Sequence, residues 1–152
     1  MIKTRSVSAI KNGVVIDHIP PGQSLKIMRL LHVINGKQRV TLGLNLRSTS
    51  LKLKDLIKIE NRLLTSGEVD HVAVFAPGAT INRIKNFKVS HKIKCELPHV
   101  IRDILVCPNL NCITHVEKKS YFELEGSSNQ FKLRCFYCEK LFERGEVEEI
   151  CL

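Results

Sequence analysis

Cys107, Cys112, Cys135 and Cys138 form a C-x4-C pair and a C-x2-C pair separated by 22 residues. Two short cysteine turns joined by a hairpin bring four soft sulfur donors to one point with little strain, and that is the donor set of a tetrahedral zinc site. Pro108-Asn109-Leu110-Asn111 fills the first pair and Phe136-Tyr137 the second, and short alternating runs flank both. Two disulfides would use the same residues, but unrelated thiols seldom fall at this paired spacing. Four cysteines close the coordination shell, so one structural Zn2+ is expected, with no open position for water or substrate. His115 is the nearest rival ligand and reads as a surface or core histidine, because the shell is complete without it. Cys95 and Cys151 have no evident metal role.

The charge of the chain is divided unevenly. The 152 residues carry a formal net charge of +9. Residues 1–100 hold 17 Lys and Arg against 6 Asp and Glu, net +11, whereas residues 101–152 hold 7 against 9, net −2. Four metal-bound thiolates and the metal would take the second part to about −4. This asymmetry predicts two domains, 1–98 and 99–152, with the seam near Pro98. A tail of some fifty residues is short for an adequate core of its own, which is a further reason to expect a metal. Met1 to Ile10 is mixed polar and basic and reads as no signal peptide, and no apolar run approaches a membrane span. Unpaired cysteines fit a reducing, cytoplasmic setting.

Apolar periodicity in the basic part predicts β-α-β-β-α-β. Val7 to Ile19 is β-branched and interrupted by Asn12-Gly13, either one bulged strand or a tight hairpin. Leu25, Ile27, Met28, Leu30, Leu31 and Ile34 make a helical stripe that stops at Asn35-Gly36. Val40, Leu42, Leu44 and Leu46 alternate with polar or small residues, as a strand requires. Leu53 to Leu63 can be drawn as a helix, but the alternation through Ile57 and Ile59 favours a strand. Ser66 offers the cap of a second helix carrying Val69, Val72, Ala73 and Ala76, which Pro77-Gly78 stops, and Thr80 to Val89 reads as the last strand. The expected fold class is α+β: a ferredoxin-like sandwich with both helices on one sheet face, followed by a small all-β, zinc-ribbon-like domain.

Gly13-Val14-Val15-Ile16-Asp17-His18-Ile19-Pro20, Gly43-Leu44-Asn45-Leu46, Asp55-Leu56-Ile57-Lys58-Ile59-Glu60-Asn61, Asn82-Arg83-Ile84, Val106-Cys107-Pro108-Asn109 and Tyr137-Cys138-Glu139-Lys140 stand in order along the chain. Over about Val7 to Phe142 the sequence resembles the regulatory chains of aspartate carbamoyltransferase. The resemblance implies a non-catalytic subunit of pyrimidine biosynthesis with a nucleotide-binding allosteric domain and a zinc domain that docks on catalytic chains. It further implies a homodimer formed through the first domain, which bridges catalytic trimers. CTP and ATP are the implied effectors, with UTP as a further candidate.

A nucleoside triphosphate needs cations for its phosphates, a carboxylate for its ribose hydroxyls, and backbone or amide groups for its base. By resemblance Asp17 takes the ribose, Lys58 and Asn82 lie beside the nucleoside, and His18 and Lys92 approach the phosphates. Ala9 and Ile10 present backbone to the base, and Val15, Ile84 and Val89 line the pocket. Lys3 and Arg5 are weaker terminal candidates. Ser8 stands where a Glu is common in the family and Phe87 where a Tyr is common, so base preference is open to change. On residue type alone, Asp17 is a strand-end carboxylate in an ion pair, Lys58 a solvated strand lysine and His18 a turn histidine. In the zinc domain the resemblance turns Asn109, Asn111, Glu139 and Lys140 toward the catalytic chain, although such residues also suit a tight metal knuckle.

Basic charge with a zinc ribbon also fits a nucleic-acid-binding protein. Against that stand the placement of the charge in the part without the metal, the acidic ribbon, and the scarcity of aromatics, with no Trp. No nucleophile–base pair, Gly-rich phosphate loop or open metal shell points to an enzyme.

Overall fold

A computed structural model describes residues 9–127 and 130–150; Lys3, Arg5, Ser8 and Cys151 lie outside the described residues. The chain divides into two compact units, Met1–Glu96 and Leu97–Leu152.

The first unit holds β1 (Gly13–Ile19), α1 (Ser24–Leu30), β2 (Val40–Arg47), β3 (Leu53–Glu60), α2 (Ser66–Phe75), β4 (Thr80–Lys85) and β5 (Lys88–Lys94). Its sheet has the order β2-β3-β1-β4-β5, antiparallel throughout. This is the expected split β-α-β pair with one strand more. The last strand does not run from Thr80 to Val89, because Asn86 and Phe87 take φ of 50° and 64° and fold a two-residue hairpin turn. Two left-handed central residues match the twist of the flanking strands, so β5 is added at the sheet edge.

Alternation sorts the two sheet faces. Val14, Ile16, Ile57, Ile59 and Ile81 are all 3% exposed or less and form the face beneath the helices. α1 contributes Ile27 and then Leu31 to the same core, while Leu25 and Ile34 of the expected stripe are exposed. The helix stops before Asn35-Gly36. His32 adopts φ 51°, its N–H reaches the Arg29 carbonyl at 3.1 Å, and that of Val33 reaches Met28 at 3.4 Å. This Schellman closure carries Val33 into the core, an apolar gain that outweighs continuing the helix. α2 is capped one residue earlier than expected, by Thr65, whose hydroxyl accepts from the Glu68 N–H while the Glu68 carboxylate accepts from the Thr65 N–H.

Two irregularities shape one end of the sheet. β1 slips against β3 between Ile16 and Ile19, with His18 at φ 58°, and β2 slips between Gly43 and Leu46, with Asn45 at φ 54°. The bulge thus lies at His18 rather than at Asn12-Gly13. Between the two slips Asp55 is fully buried. Its carboxylate accepts from the Asn45 N–H (3.1 Å), the Gly22 N–H (3.0 Å) and the Ser24 hydroxyl (2.6 Å). Three donors compensate the desolvated charge and tie two strands and the start of α1 together.

The second unit contains β6 (Val100–Arg102), β7 (Leu105–Val106), α3 (Thr114–Glu117), β8 (Tyr121–Gly126), β9 (Phe131–Cys135), β10 (Leu141–Glu143) and β11 (Glu148–Glu149). β10-β9-β8-β6 form one antiparallel sheet and β11-β7 a small second one. Except for α3 and a 3-10 turn at Arg144–Glu146, it is the expected β architecture.

Gly13 sits where a Cβ would lie 2.1 Å from the Ile59 carbonyl oxygen, at φ 141°. Gly13→Ala is expected to destabilise the chain by about 2–4 kcal/mol. At Gly67, in the first turn of α2 with nothing within 4 Å, the same change should be neutral or stabilising. Denaturant midpoints of the two variants check the contrast.

Candidate functional site

Each half of the four-cysteine cluster is held by its own local turn. Cys107 follows β7, and the Cys112 N–H closes the first loop on the Asn109 carbonyl at 2.9 Å. Cys135 ends β9. Its N–H donates to the Lys140 carbonyl (3.0 Å) and its carbonyl accepts from the Glu139 N–H (2.8 Å), with Glu139 at φ 61°. Behind this knuckle Arg134 donates to the Glu139 carbonyl at 2.9 Å while its guanidinium grips Glu125 on β8.

The four sulfurs lie within 4.8 Å of one another, with Cys107–Cys138 at 3.7 Å and Cys112–Cys135 at 3.8 Å. Zinc–sulfur bonds of about 2.3 Å in a tetrahedron set sulfur–sulfur edges at roughly 3.8 Å. No described pair is disulfide-bonded. The donor set fits a single tetrahedral metal ion, which would supply crosslinking of two loops and no reactive position.

Surrounding groups prepare the sulfurs unequally. Burial pushes Cys107 upward, whereas at Cys138 it is outweighed by the Lys140 N–H, the Asn109 side chain and the neighbouring sulfurs, which bring the thiol down to about 7. At Cys112, too, burial is outweighed, here by the hydroxyl and N–H of Thr114 and by two neighbouring sulfurs. His115 donates from Nε2 to the Cys107 carbonyl (2.8 Å) and is outside the cluster. Cys95 is buried in the other unit, where desolvation and Asp70 push its thiol to about 11.

The first unit offers a different surface. Register across all five strands places Thr41, Lys58, Val15, Asn82 and Lys92 in one row on the sheet face without helices. Four of the five were singled out by sequence. Asp17 pairs with Thr80 in the next row, and Ile84 pairs with Val89 on the other side. Ala9 and Ile10 precede β1, the former exposed and the latter buried. Lys58 is only 8% exposed, so it is no solvated lysine, whereas Val89 and Lys92 lie open on the edge strand.

Asp17 is indeed in an ion pair, its Oδ1 2.9 Å from Lys54 Nζ. Lys54 escaped notice in the sequence although the two-residue period puts it on the same face as Leu56 and Lys58. His18 lies in the bulge, its Nδ1 buried without a hydrogen-bond partner and 4.0 Å from Asp17 Oδ2. In the second unit the Asn109 side chain is engaged inside the knuckle, accepting from the Asn111 N–H and supporting Cys138. Asn111, Glu139 and Lys140 are exposed. So are Leu110 (84%), Val116 (77%) and Phe136 (55%), apolar side chains around the cysteine loops that the sequence reading passed over.

An α+β unit with one open polar sheet face, joined to a unit closed on four cysteines, defines a class of two-module chains in which the metal serves architecture. Residues 5–96 match the family described as the allosteric domain of the aspartate carbamoyltransferase regulatory chain, and residues 99–148 match its metal-binding domain. The chain is 48% identical over 148 residues to the aspartate carbamoyltransferase regulatory chain of Tolumonas auensis, covering 97% of this chain and 96% of that one. It is 47% identical over 145 residues to that of Vibrio cholerae, covering 95% and 94%, and 48% identical over 148 residues to that of Chromobacterium violaceum, covering 97% of each. The chain belongs to the aspartate carbamoyltransferase regulatory chain family.

Protons compete with metal for the sulfurs, so metal is expected to be retained near neutral pH and lost as the pH falls. Stripping it, or replacing Cys135 with Ser, should take metal content from one ion per chain to none and collapse the dispersed amide resonances of residues 97–150. Those of the first unit should persist. Metal analysis with 1H–15N spectra checks both.

Proposed function

We propose that this chain is a non-catalytic subunit that binds nucleotide effectors in its first domain, residues 1–98, and conveys their effect to catalytic chains through a zinc domain, residues 99–152. The observation that carries the reading is the row Lys58–Val15–Asn82–Lys92 on the helix-free sheet face. Two cations and an amide in one row, with Asp17 and Lys54 beside them, are the groups that a nucleoside triphosphate requires. Asp17 receives the ribose, Lys58 and Asn82 the nucleoside, and Lys92 and His18 the phosphates. Ala9 and Ile10 meet the base through their backbone, and Val15, Ile84 and Val89 flank it.

The bound ion is Zn2+, because four thiolates in tetrahedral array suit it. Asn111, Glu139 and Lys140 supply polar contacts to the catalytic chain around exposed Leu110, Val116 and Phe136, a polar rim about an apolar centre. Asn109 contributes by holding the loop. The exposed edge strand β5 suits pairing of two first domains, and the assembly works in the cytoplasm on pyrimidine synthesis. CTP and ATP act by preferring different quaternary states, which is all that an effector needs in order to shift an equilibrium.

Calorimetry of the full chain should show Lys58→Ala and Asn82→Ala weakening CTP about ten- to a hundredfold. Lys92→Ala should weaken CTP far more than cytidine, since it meets only phosphate. Equal losses for both ligands would remove Lys92 from the phosphate site. The chain alone should transfer no carbamoyl group from carbamoyl phosphate to aspartate.

A further inference from the structure

Three residues of the sulfur cluster are sealed from solvent and one is not. Cys107, Cys112 and Cys135 are at most 4% exposed, whereas Cys138 is half-buried. Two donors reach the Cys138 sulfur, the Asn109 side chain and the Lys140 N–H. Hydrogen bonds of this kind favour the charged thiolate and orient it, as the groups behind a metal ligand commonly do.

The Lys140 N–H belongs to the peptide unit whose opposite edge is the Glu139 carbonyl, and in a planar trans peptide those two groups point in opposite directions. Arg134 Nη1 donates to that carbonyl at 2.9 Å. One peptide is therefore gripped at its oxygen by Arg134 while its N–H is aimed at Cys138. The grip matters because Glu139 stands at φ 61° without being glycine, a conformation that costs energy to hold.

Arg134 is oriented in turn by Glu125. Its Nε meets Oε1 of the carboxylate and its Nη2 meets Oε2 at 3.1 Å, a bidentate pair that fixes the plane of the guanidinium. Register sets Glu125 of β8 opposite Lys132 of β9, so it reaches Arg134 on the diagonal. An exposed ion pair contributes little to folding by itself. Lys132 with Glu143, 3.2 Å apart, is such a pair and joins β9 to β10 only.

We propose that Glu125 and Arg134 are positioning residues for the metal, acting through the Glu139–Lys140 peptide on the Cys138 sulfur, and that metal is exchanged at this corner of the cluster. Both roles rest on the reading of the cluster as a zinc site. A chain that takes up no ion removes that reading and these roles together, whereas a loaded chain indifferent to Arg134 removes only the roles.

The test is transfer of zinc from the metal-loaded full chain to excess 4-(2-pyridylazo)resorcinol, with 1H–15N spectra of each variant. Arg134→Ala and Glu125→Ala should each release metal about tenfold faster. The double variant should be no faster than Arg134→Ala, because the two residues act in series. Arg134→Lys, which keeps a donor but loses the fork, should recover part of the difference, and Lys132→Ala should match the wild type. In Arg134→Ala the Lys140 amide proton should move upfield as its bond to sulfur lengthens, while the amides of Leu124 and Leu133 in the sheet stay in place. Limiting iodoacetamide should alkylate Cys138 before Cys107, Cys112 or Cys135. Without any substitution in the pair, added KCl should speed release from the wild type more than from Glu125→Ala, since it screens the ion pair. Unchanged release from Arg134→Ala, equal acceleration by Lys132→Ala, a stationary Lys140 amide, first alkylation at another of the four cysteines, or an equal response to salt overturns the proposal.

Discussion

Four sulfurs within 4.8 Å of one another can ionise together only with a cation between them, and the second unit is built around that requirement. Its strands are short, two of them only two residues long, and pairing alone would hold them weakly. The cysteine loops join the end of β7 to the end of β9, so one ion links segments that the sheet hydrogen bonds leave in separate sheets. The same closure holds Asn111, Glu139 and Lys140 in the turns beside the sulfurs.

A different constraint governs the first unit. β3 is an interior strand, and the period of two along it separates isoleucines that feed the helix-covered core from Lys58 and Lys54 on the face without helices. Asp55 would break that pattern. It is tolerated because three donors from β2, the loop before α1 and α1 itself converge on it. The separate bulge in β1 places His18 and Asp17 at the end of the sheet where Lys54 stands.

Much of this was legible beforehand because periodicity and spacing are local. The alternation of Val40 to Leu46 and of Ile57 and Ile59 identified strands, the paired cysteine spacing announced a four-sulfur cluster, and the ordered motifs pointed to the family. Three features differ from the local reading, the first because packing overrode a local signal and the other two because the local signal was a competing or weak one. Burial of Val33 ended α1 before its Gly signal, Thr65 displaced Ser66 as cap, and the turn at Asn86-Phe87 carried no glycine to mark a hairpin.

Residue type and spacing by themselves determined the donor set for a metal, the α+β class and the split of charge between two halves, since these depend on near neighbours in the chain. Only the tertiary structure decided which strands lie side by side, and hence that Lys58, Val15, Asn82 and Lys92, up to 77 positions apart in the numbering, share one row. It also revealed the ion pair of Lys54 with Asp17 and the unpartnered Nδ1 of His18. Whether a polar group finds a partner is set by long-range register and burial, which no local pattern in the chain encodes.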